Sequence, residues 1–186
     1  MMGSTMRITT HYAGLERDLA NLFESTFSDS EGAAEGRLIG QLVSELLATT
    51  PAQDLSVFIA EDPPDGEPIA AVFFTRLLYE RDDRVVSLLS PMAVRTDRQR
   101  QGVGQELLSR ALEALREEGI DIVVTYGDPA FYRHLGFEPV DVRLVPAPFE
   151  LSQPAGWLAL SLGGNTISAL PRSVQCVRAL NRPAYW

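Results

Sequence analysis

The chain has 186 residues, 45 % of them hydrophobic, with a formal net charge of −9 and a mean hydropathy of −0.02. That is enough for one substantial core and excludes intrinsic disorder; the acidic balance argues against a nucleic-acid partner gripped by a broad basic face and suits a small cationic substrate. All 16 basic residues are arginine, which rules out a lysine Schiff base and the lysine of an ordinary P-loop.

Met1 to Met6 reads as weakly structured, and a first strand is expected over Arg7 to Tyr12. Leu15, Leu19, Leu22, Phe23 and Phe27 recur at helical spacing, and a polar stretch from Ser28 to Ala34 ends that helix. A second amphipathic helix carries Leu38, Ile39, Leu42, Val43, Leu46 and Leu47 on one stripe, and Pro51 closes it. Three strands follow, Leu55 to Glu61, Ile69 to Leu78 and Val85 to Val94, separated by a Pro/Gly turn at Asp62 to Gly66 and a charged hairpin at Glu80 to Arg84. Pro91 cannot donate to a ladder, so the third strand is expected to be interrupted there by a bulge or a local splaying of the sheet.

Leu107, Leu108, Ala111, Leu112 and Leu115 give the clearest helix of the chain, stopped by Gly119. Ile120 to Tyr126 is the apolar run of an interior strand. Asp128-Pro129 reads as N-cap and first residue of a short helix through Leu135; Gly136 closes it, and Phe137 to Val145 is expected to be extended. A further strand is expected over Trp157 to Leu162 in an otherwise loop-rich end. The order is α/β, with an antiparallel meander feeding a parallel crossover.

The chemistry concentrates where strand meets helix. Gly102 and Gly104 let backbone approach a ligand, and the following helix N-terminus offers unpaired N–H groups to an anion. Arg95, Arg98 and Arg100 crowd the same segment, so a phosphate or pyrophosphate ligand is expected. A Walker loop fails for want of lysine, and a dinucleotide fingerprint fails because its third glycine position is Leu107. The single Cys176 is expected to be a buried structural thiol, since only His11 and His134 are available as bases and neither is near it in sequence. No metal constellation is present in the sequence pattern. No apolar run is long enough for a membrane span and no secretion signal is read, so a cytoplasmic protein is expected.

Met92-Ala93-Val94 followed by Gln99-Arg100-Gln101-Gly102-Val103-Gly104 resembles the signature of the GNAT superfamily of N-acetyltransferases, (Gln/Arg)-x-x-Gly-x-(Gly/Ala). Phe131-Tyr132-Arg133-His134-Leu135-Gly136-Phe137 is similar to that family's Tyr-x-x-x-Gly-Phe segment, and Gly127-Asp128-Pro129 resembles the YhbS-like predicted acetyltransferases within it. The resemblance implies a GNAT-type α/β fold, a central mixed sheet of about six to seven strands flanked by about four helices, as one domain over residues 6–162 with a C-terminal extension over 163–186 packed on it.

It implies acetyl-CoA as cosubstrate, with no metal, and acetyl transfer to a primary amine by direct attack in a ternary complex. Met92, Ala93, Val94, Gln99, Arg100, Gln101, Gly102, Val103, Gly104, Gln105, Asp128 and Phe131 are implied as acetyl-CoA contacts. The Val94 backbone N–H would approach the acetyl carbonyl, and Tyr132 would be the general acid, protonated at neutral pH as phenols are. Relatives often place a glutamate on the fourth strand as base; Arg84 to Val94 contains no carboxylate. That departure leaves open an alternative, a catalytically weak acyl-CoA sensor or interaction module of the same fold; a third reading has the tail ending Pro183-Ala184-Tyr185-Trp186 as a protein interface. Glu24, Asp29 and Glu31 are expected beside the loop between the first helices, where they would attract a cationic amine. No nucleic-acid or membrane partner is expected, and the chain would be a monomer or homodimer.

Overall fold

The computed structural model describes residues 6–63 and 65–186; the expectations for Met1–Thr5 and for Pro64 lie outside them. The elements in chain order are β1 (Arg7–Thr9), α1 (Glu16–Glu31), α2 (Ala33–Thr49), β2 (Leu55–Asp62), β3 (Glu67–Tyr79), β4 (Val86–Val94), α3 (Val103–Glu117), β5 (Ile122–Tyr126), α4 (Pro129–Tyr132), β6 (Glu138–Pro139), β7 (Trp157–Ser161) and β8 (Val174–Gln175), with short 3-10 turns between several of them. The arrangement is mixed α/β. Two compact units emerge, Met1–Phe73 with Pro91–Ala111, and Phe74–Ser90 with Leu112–Trp186; β3 and β4 each run through both.

In the first unit the strand order is β1-β2-β3-β4, with β1 antiparallel to β2 from Arg7↔Glu61 to Thr9↔Ile59. Of the apolar stripes anticipated for the two helices, Leu19, Leu22 and Phe23 on the first and Ile39, Leu42, Val43 and Leu46 on the second are buried, while Leu15, Phe27, Leu38 and Leu47 are half-buried. Phe23 meets Phe73 of β3 edge-on at 5.4 Å between centroids, which anchors α1 to the sheet. The two helices approach closely because Gly36 has no side chain; a Cβ there would lie 2.5 Å from the Glu24 carbonyl oxygen and 2.8 Å from the Ser28 nitrogen.

In the second unit β4 pairs parallel with β5, from Val86↔Ile122 to Leu89↔Thr125, and β7 pairs antiparallel with both β5 and β6. Trp157, fully buried, donates its indole N–H to the Val145 carbonyl at 2.8 Å. The last residues pack here too: β8 pairs with the end of β3, the Arg84 guanidinium donates to the carbonyls of Ser168 (2.8 Å) and Ala169 (3.0 Å), and the Trp186 ring sits 6.0 Å from that of Trp157.

Four local expectations need correction. The polar stretch does not end α1, which runs on to Glu31; Gly32, at φ +98°, is the whole break before α2. Serine and aspartate are poor helix formers, but α2 packs on this turn, Gly36 lying close against Ser28 and Glu24. β4 itself is continuous through Pro91 rather than broken, while its pairing with β5 ends before it, at Leu89↔Thr125. Only Glu138–Pro139 of the stretch expected to be extended is a strand, because Asp141 folds the chain back, accepting from the backbone and side chain of Arg143. Cys176 is half-buried rather than buried, and that burial raises its thiol pKa.

Candidate active site

The glycine loop joins β4 to α3 within the first unit and is built from local contacts. Arg95 donates its backbone N–H to the Ile69 carbonyl at 2.8 Å, holding the exit of β4 to β3. Successive strand residues point their polar groups to opposite sides, so the Val94 N–H and C=O face away from β3. The Val94 carbonyl accepts from the Gln99 side chain at 2.9 Å, which fixes that peptide's orientation. Gln101 donates its side-chain amide to the Asp97 carbonyl, also at 2.9 Å. Two of the loop's glutamines therefore serve as struts.

Between them Arg100 stands at φ +60° and Gly102 at φ +84°. Two left-handed residues so close together turn the chain sharply into Val103, the first residue of α3. A left-handed conformation costs a non-glycine residue about 1–2 kcal/mol, so such a turn persists only where surrounding contacts impose it. The first N–H groups of α3, those of Val103, Gly104 and Gln105, have no carbonyl one turn earlier and are open to an anion. Beneath them Gly104, Leu107 and Leu108 are buried, so the helix start is fixed from below.

The arginines divide in role. Arg95 is held by Asp97 (2.6 and 3.1 Å) and Glu67 (3.3 Å), and Arg98 is paired with Asp62. The hydrogen bond from Arg95 and its charge hold the Asp97 carboxyl below its ordinary pKa. Two of the three arginines that crowd this segment are therefore engaged in fixing the loop. Arg100 is exposed at the tip of the turn.

Beside the loop, a cleft of about 520 Å³ runs along α1, with Asp18, Ser25, Asp29, Glu67, Arg95 and Asp97 among its lining residues. Four carboxylates face one guanidinium there, so its potential favours a cation. Asp29 accepts from the Thr96 hydroxyl at 2.6 Å. Of the three acidic residues expected near the inter-helix loop, Asp29 lines this cleft, whereas Glu24 lies within α1 and Glu31 ends it.

The second unit holds Asp128, Phe131 and Tyr132. Asp128 caps α4, accepting from the Ala130 N–H at 2.9 Å, with Pro129 at the first helical position. Phe131, half-buried, stands edge-on to Tyr132 at 5.0 Å, and Phe137 meets the same ring from another side at 5.5 Å. Gly136, at φ +93°, turns the chain so that Phe137 can return to it. Tyr132 is 9 % exposed. Burial pushes its phenol pKa up; hydrogen bonding with the Thr125 side chain opposes that shift and the Asp128 charge adds to it. The phenol is thus protonated across the neutral range. His134 lies exposed on the turn after α4.

Thr125 is the residue that sequence reasoning passed over. It is 1 % exposed, and its hydroxyl donates to the Leu89 carbonyl at 3.1 Å. The available signal was one hydroxyl in an otherwise apolar interior strand, Ile122-Val123-Val124-Thr125. Tyr126, next in sequence, faces the other way: its hydroxyl contacts Ser152 at 2.9 Å and accepts from the Gln153 N–H at 2.6 Å. Among the described residues no group of three His, Cys, Asp or Glu side chains is placed to hold a metal, and no helix is long and apolar enough to cross a membrane.

A family model described as acetyltransferase (GNAT) domain matches residues 53–139. The Escherichia coli K12 protein named uncharacterized N-acetyltransferase YjhQ is 31 % identical over 126 residues, covering 65 % of this chain and 68 % of YjhQ. The E. coli protein named uncharacterized N-acetyltransferase YhbS is 32 % identical over 108 residues, 58 % of this chain and 60 % of YhbS. Among solved structures, E. coli YhbS in complex with CoA superposes with a TM-score of 0.74 at 22 % identity, covering 96 % of this chain and 92 % of that one. A Brucella melitensis GNAT acetyltransferase in complex with acetyl-CoA gives 0.71 at 23 % identity, covering 95 % and 98 %.

Proposed function

The chain belongs to the GNAT family of N-acetyltransferases, and we propose that it binds acetyl-CoA on the Gln99–Gly104 loop and transfers the acetyl group to a primary amine. The observation that carries the donor half is the loop itself. A left-handed turn at Arg100 and Gly102, braced by the side chains of Gln99 and Gln101, presents the start of α3 to an anion. A pyrophosphate fits that donor set: it accepts several N–H bonds at once and gains from the helix dipole. Arg100 at the tip adds a charge, and Met92 to Val94 supplies strand backbone for the pantetheine arm.

The Val94 N–H, directed away from β3, is the donor we assign to the acetyl carbonyl, where negative charge develops as the amine adds. Tyr132 gives its proton to the departing thiolate, which its raised pKa allows at any pH near neutrality. Asp128 and Phe131 act through α4, one capping it and the other packing the Tyr132 ring. The acidic cleft along α1 supports a cationic acceptor, although no carboxylate stands on β4 to take its proton.

Calorimetric titration with acetyl-CoA, followed by thiol release against a broad amine panel, tests both halves. Micromolar binding and turnover of at least one amine are expected; no binding would sink the whole reading, and binding without turnover would leave recognition and remove transfer. Tyr132→Phe should lower kcat by about 100-fold or more at unchanged acetyl-CoA affinity. An unchanged rate would remove Tyr132 from the acid role.

A further inference from the structure

Tyr132 sits on a seat that only two particular residues of the β5 exit supply. Thr125 and Gly127 are two residues apart, so on an extended chain they share one face. Gly127 is not in the left-handed region, and its backbone alone does not call for glycine. What calls for it is the ring: a Cβ at Gly127 would lie 2.8 Å from Tyr132 Cε2, 3.6 Å from Cδ2 and 3.7 Å from Cζ. Cε2 and Cζ belong to the hydroxyl end of the phenol, so the bare Cα of Gly127 is the surface on which that end rests.

Neither partner has room to yield. The Gly127 N–H is bonded to the Gly156 carbonyl at 3.0 Å, and a Cβ on Gly156 would in turn stand 3.0 Å from the Gly127 carbonyl oxygen. The Gly127 peptide is thus held between a ring on one side and a second glycine on the other. The ring is itself enclosed by Phe131 and Phe137. At the hydroxyl end lies Thr125, which bonds the phenol in the sense that favours its oxygen as acceptor, opposing the rise in pKa that burial causes, and whose hydroxyl also reaches the Leu89 carbonyl at 3.1 Å.

We infer that Gly127 and Thr125 are positioning residues that fix where the Tyr132 hydroxyl stands: Gly127 sets the depth of the ring and Thr125 holds the oxygen. The inference rests on the reading of Tyr132 as proton donor, because ring placement matters to rate only if the phenol takes part. During transfer the amine–acetyl C–N bond forms and the acetyl C–S bond breaks. The O–H bond of Tyr132 breaks as the S–H bond of coenzyme A forms, and the proton lost by the amine goes to solvent, from which the phenolate is later reprotonated. The Thr125 hydroxyl, released from Leu89 by rotation about its C–O bond, can meanwhile donate to the phenolate left behind.

The test uses the full chain with Gly127→Ala and Thr125→Val, each alone and combined with Tyr132→Phe. Thiol release from acetyl-CoA is measured with the best amine of the panel, or with water as acceptor if no amine reacts. A second readout needs no acceptor: the 13Cζ NMR resonance of Tyr132 in tyrosine-labelled protein, identified by its absence from Tyr132→Phe. Each single variant should lower kcat by about tenfold to hundredfold, keep KM for acetyl-CoA within about twofold, and move the Tyr132 resonance. Neither should lower the rate further once Tyr132 is Phe.

If Tyr132→Phe lowers the rate while the other two leave rate and resonance unchanged, the positioning inference falls and the acid reading stands. Equal losses in the wild-type and Tyr132→Phe backgrounds would likewise reduce the two residues to a general structural role. An unchanged rate in Tyr132→Phe would remove the acid and the inference with it. Should Gly127→Ala fail to fold, Thr125→Val, which replaces a hydroxyl by a methyl of similar size, carries the same comparison.

Discussion

Gly102→Ala isolates the backbone of the loop from everything else in it. Gly102 lies at φ +84°, and a Cβ built there meets nothing within 4 Å, so the substitution introduces no clash and removes no contact. What it adds is the steric cost of a left-handed alanine, about 1–2 kcal/mol. The loop has two ways to respond. It can keep its turn, in which case the cost appears as lost stability, or it can relax, in which case the N–H groups at the start of α3 swing away from the ligand. In the second case acetyl-CoA affinity falls by about 5- to 30-fold, the same energy expressed as a binding constant. The neighbouring Arg100, already at φ +60°, makes relaxation the expected response, since it relieves two strained residues together. Calorimetric Kd for acetyl-CoA and the thermal midpoint, measured on the same sample, apportion the cost. If affinity and midpoint both stay at their wild-type values, the left-handed turn is not a requirement of this loop and the account of the site is wrong.

Other consequences are equally direct. Gly36→Ala should destabilise the fold, because a Cβ 2.5 Å from the Glu24 carbonyl forces α1 and α2 apart at about 1–3 kcal/mol, outweighing about 1 kcal/mol gained in helix propensity; a higher denaturant midpoint would refute this. Burial raises the phenol pKa of both Tyr79 and Tyr132. Their neutral forms therefore stabilise the native state fully below the ordinary phenol value of about 10, and that contribution is lost as pH rises beyond it. Stability should accordingly fall in alkaline urea titrations, and fall less in Tyr79→Phe; an equal alkaline loss in that variant would contradict the assignment. With no carboxylate from Arg84 to Val94, deprotonating an amine unaided costs about 4 kcal/mol near neutral pH. Turnover should then rise about tenfold per pH unit toward the amine's own pKa, with Tyr132 still protonated there, and a plateau near neutrality would reveal a base elsewhere.

How far the sequence could be read depended on whether its signals were local or came from packing. The stripes of α1, α2 and α3 were legible because a helical face needs only one chain segment to declare itself. The Asp128 cap was legible for the same reason, its acceptor and donor being two residues apart. The end of α1 was misjudged because propensity argued for a break at Ser28, whereas the helix runs on to Glu31 with α2 packed on Ser28 through Gly36. The pairing of Arg98 with Asp62, and of Arg95 with Glu67, was not legible because it joins β4's exit to the turn between β2 and β3, a proximity that only the fold creates.

Thr125 and Gly127 show the limit most sharply. Gly127 was visible only as part of a family resemblance, since a glycine before Asp-Pro reads as an ordinary turn residue. Its reason lies five residues on, in a ring that α4 folds back over the strand end, and behind it in Gly156, which closes the other side of the same peptide. A cap, a glycine and a buried hydroxyl are each unremarkable in isolation. Together they leave the Tyr132 ring one place to stand, so the residue that would donate the proton is fixed by neighbours that have no chemistry of their own to announce them.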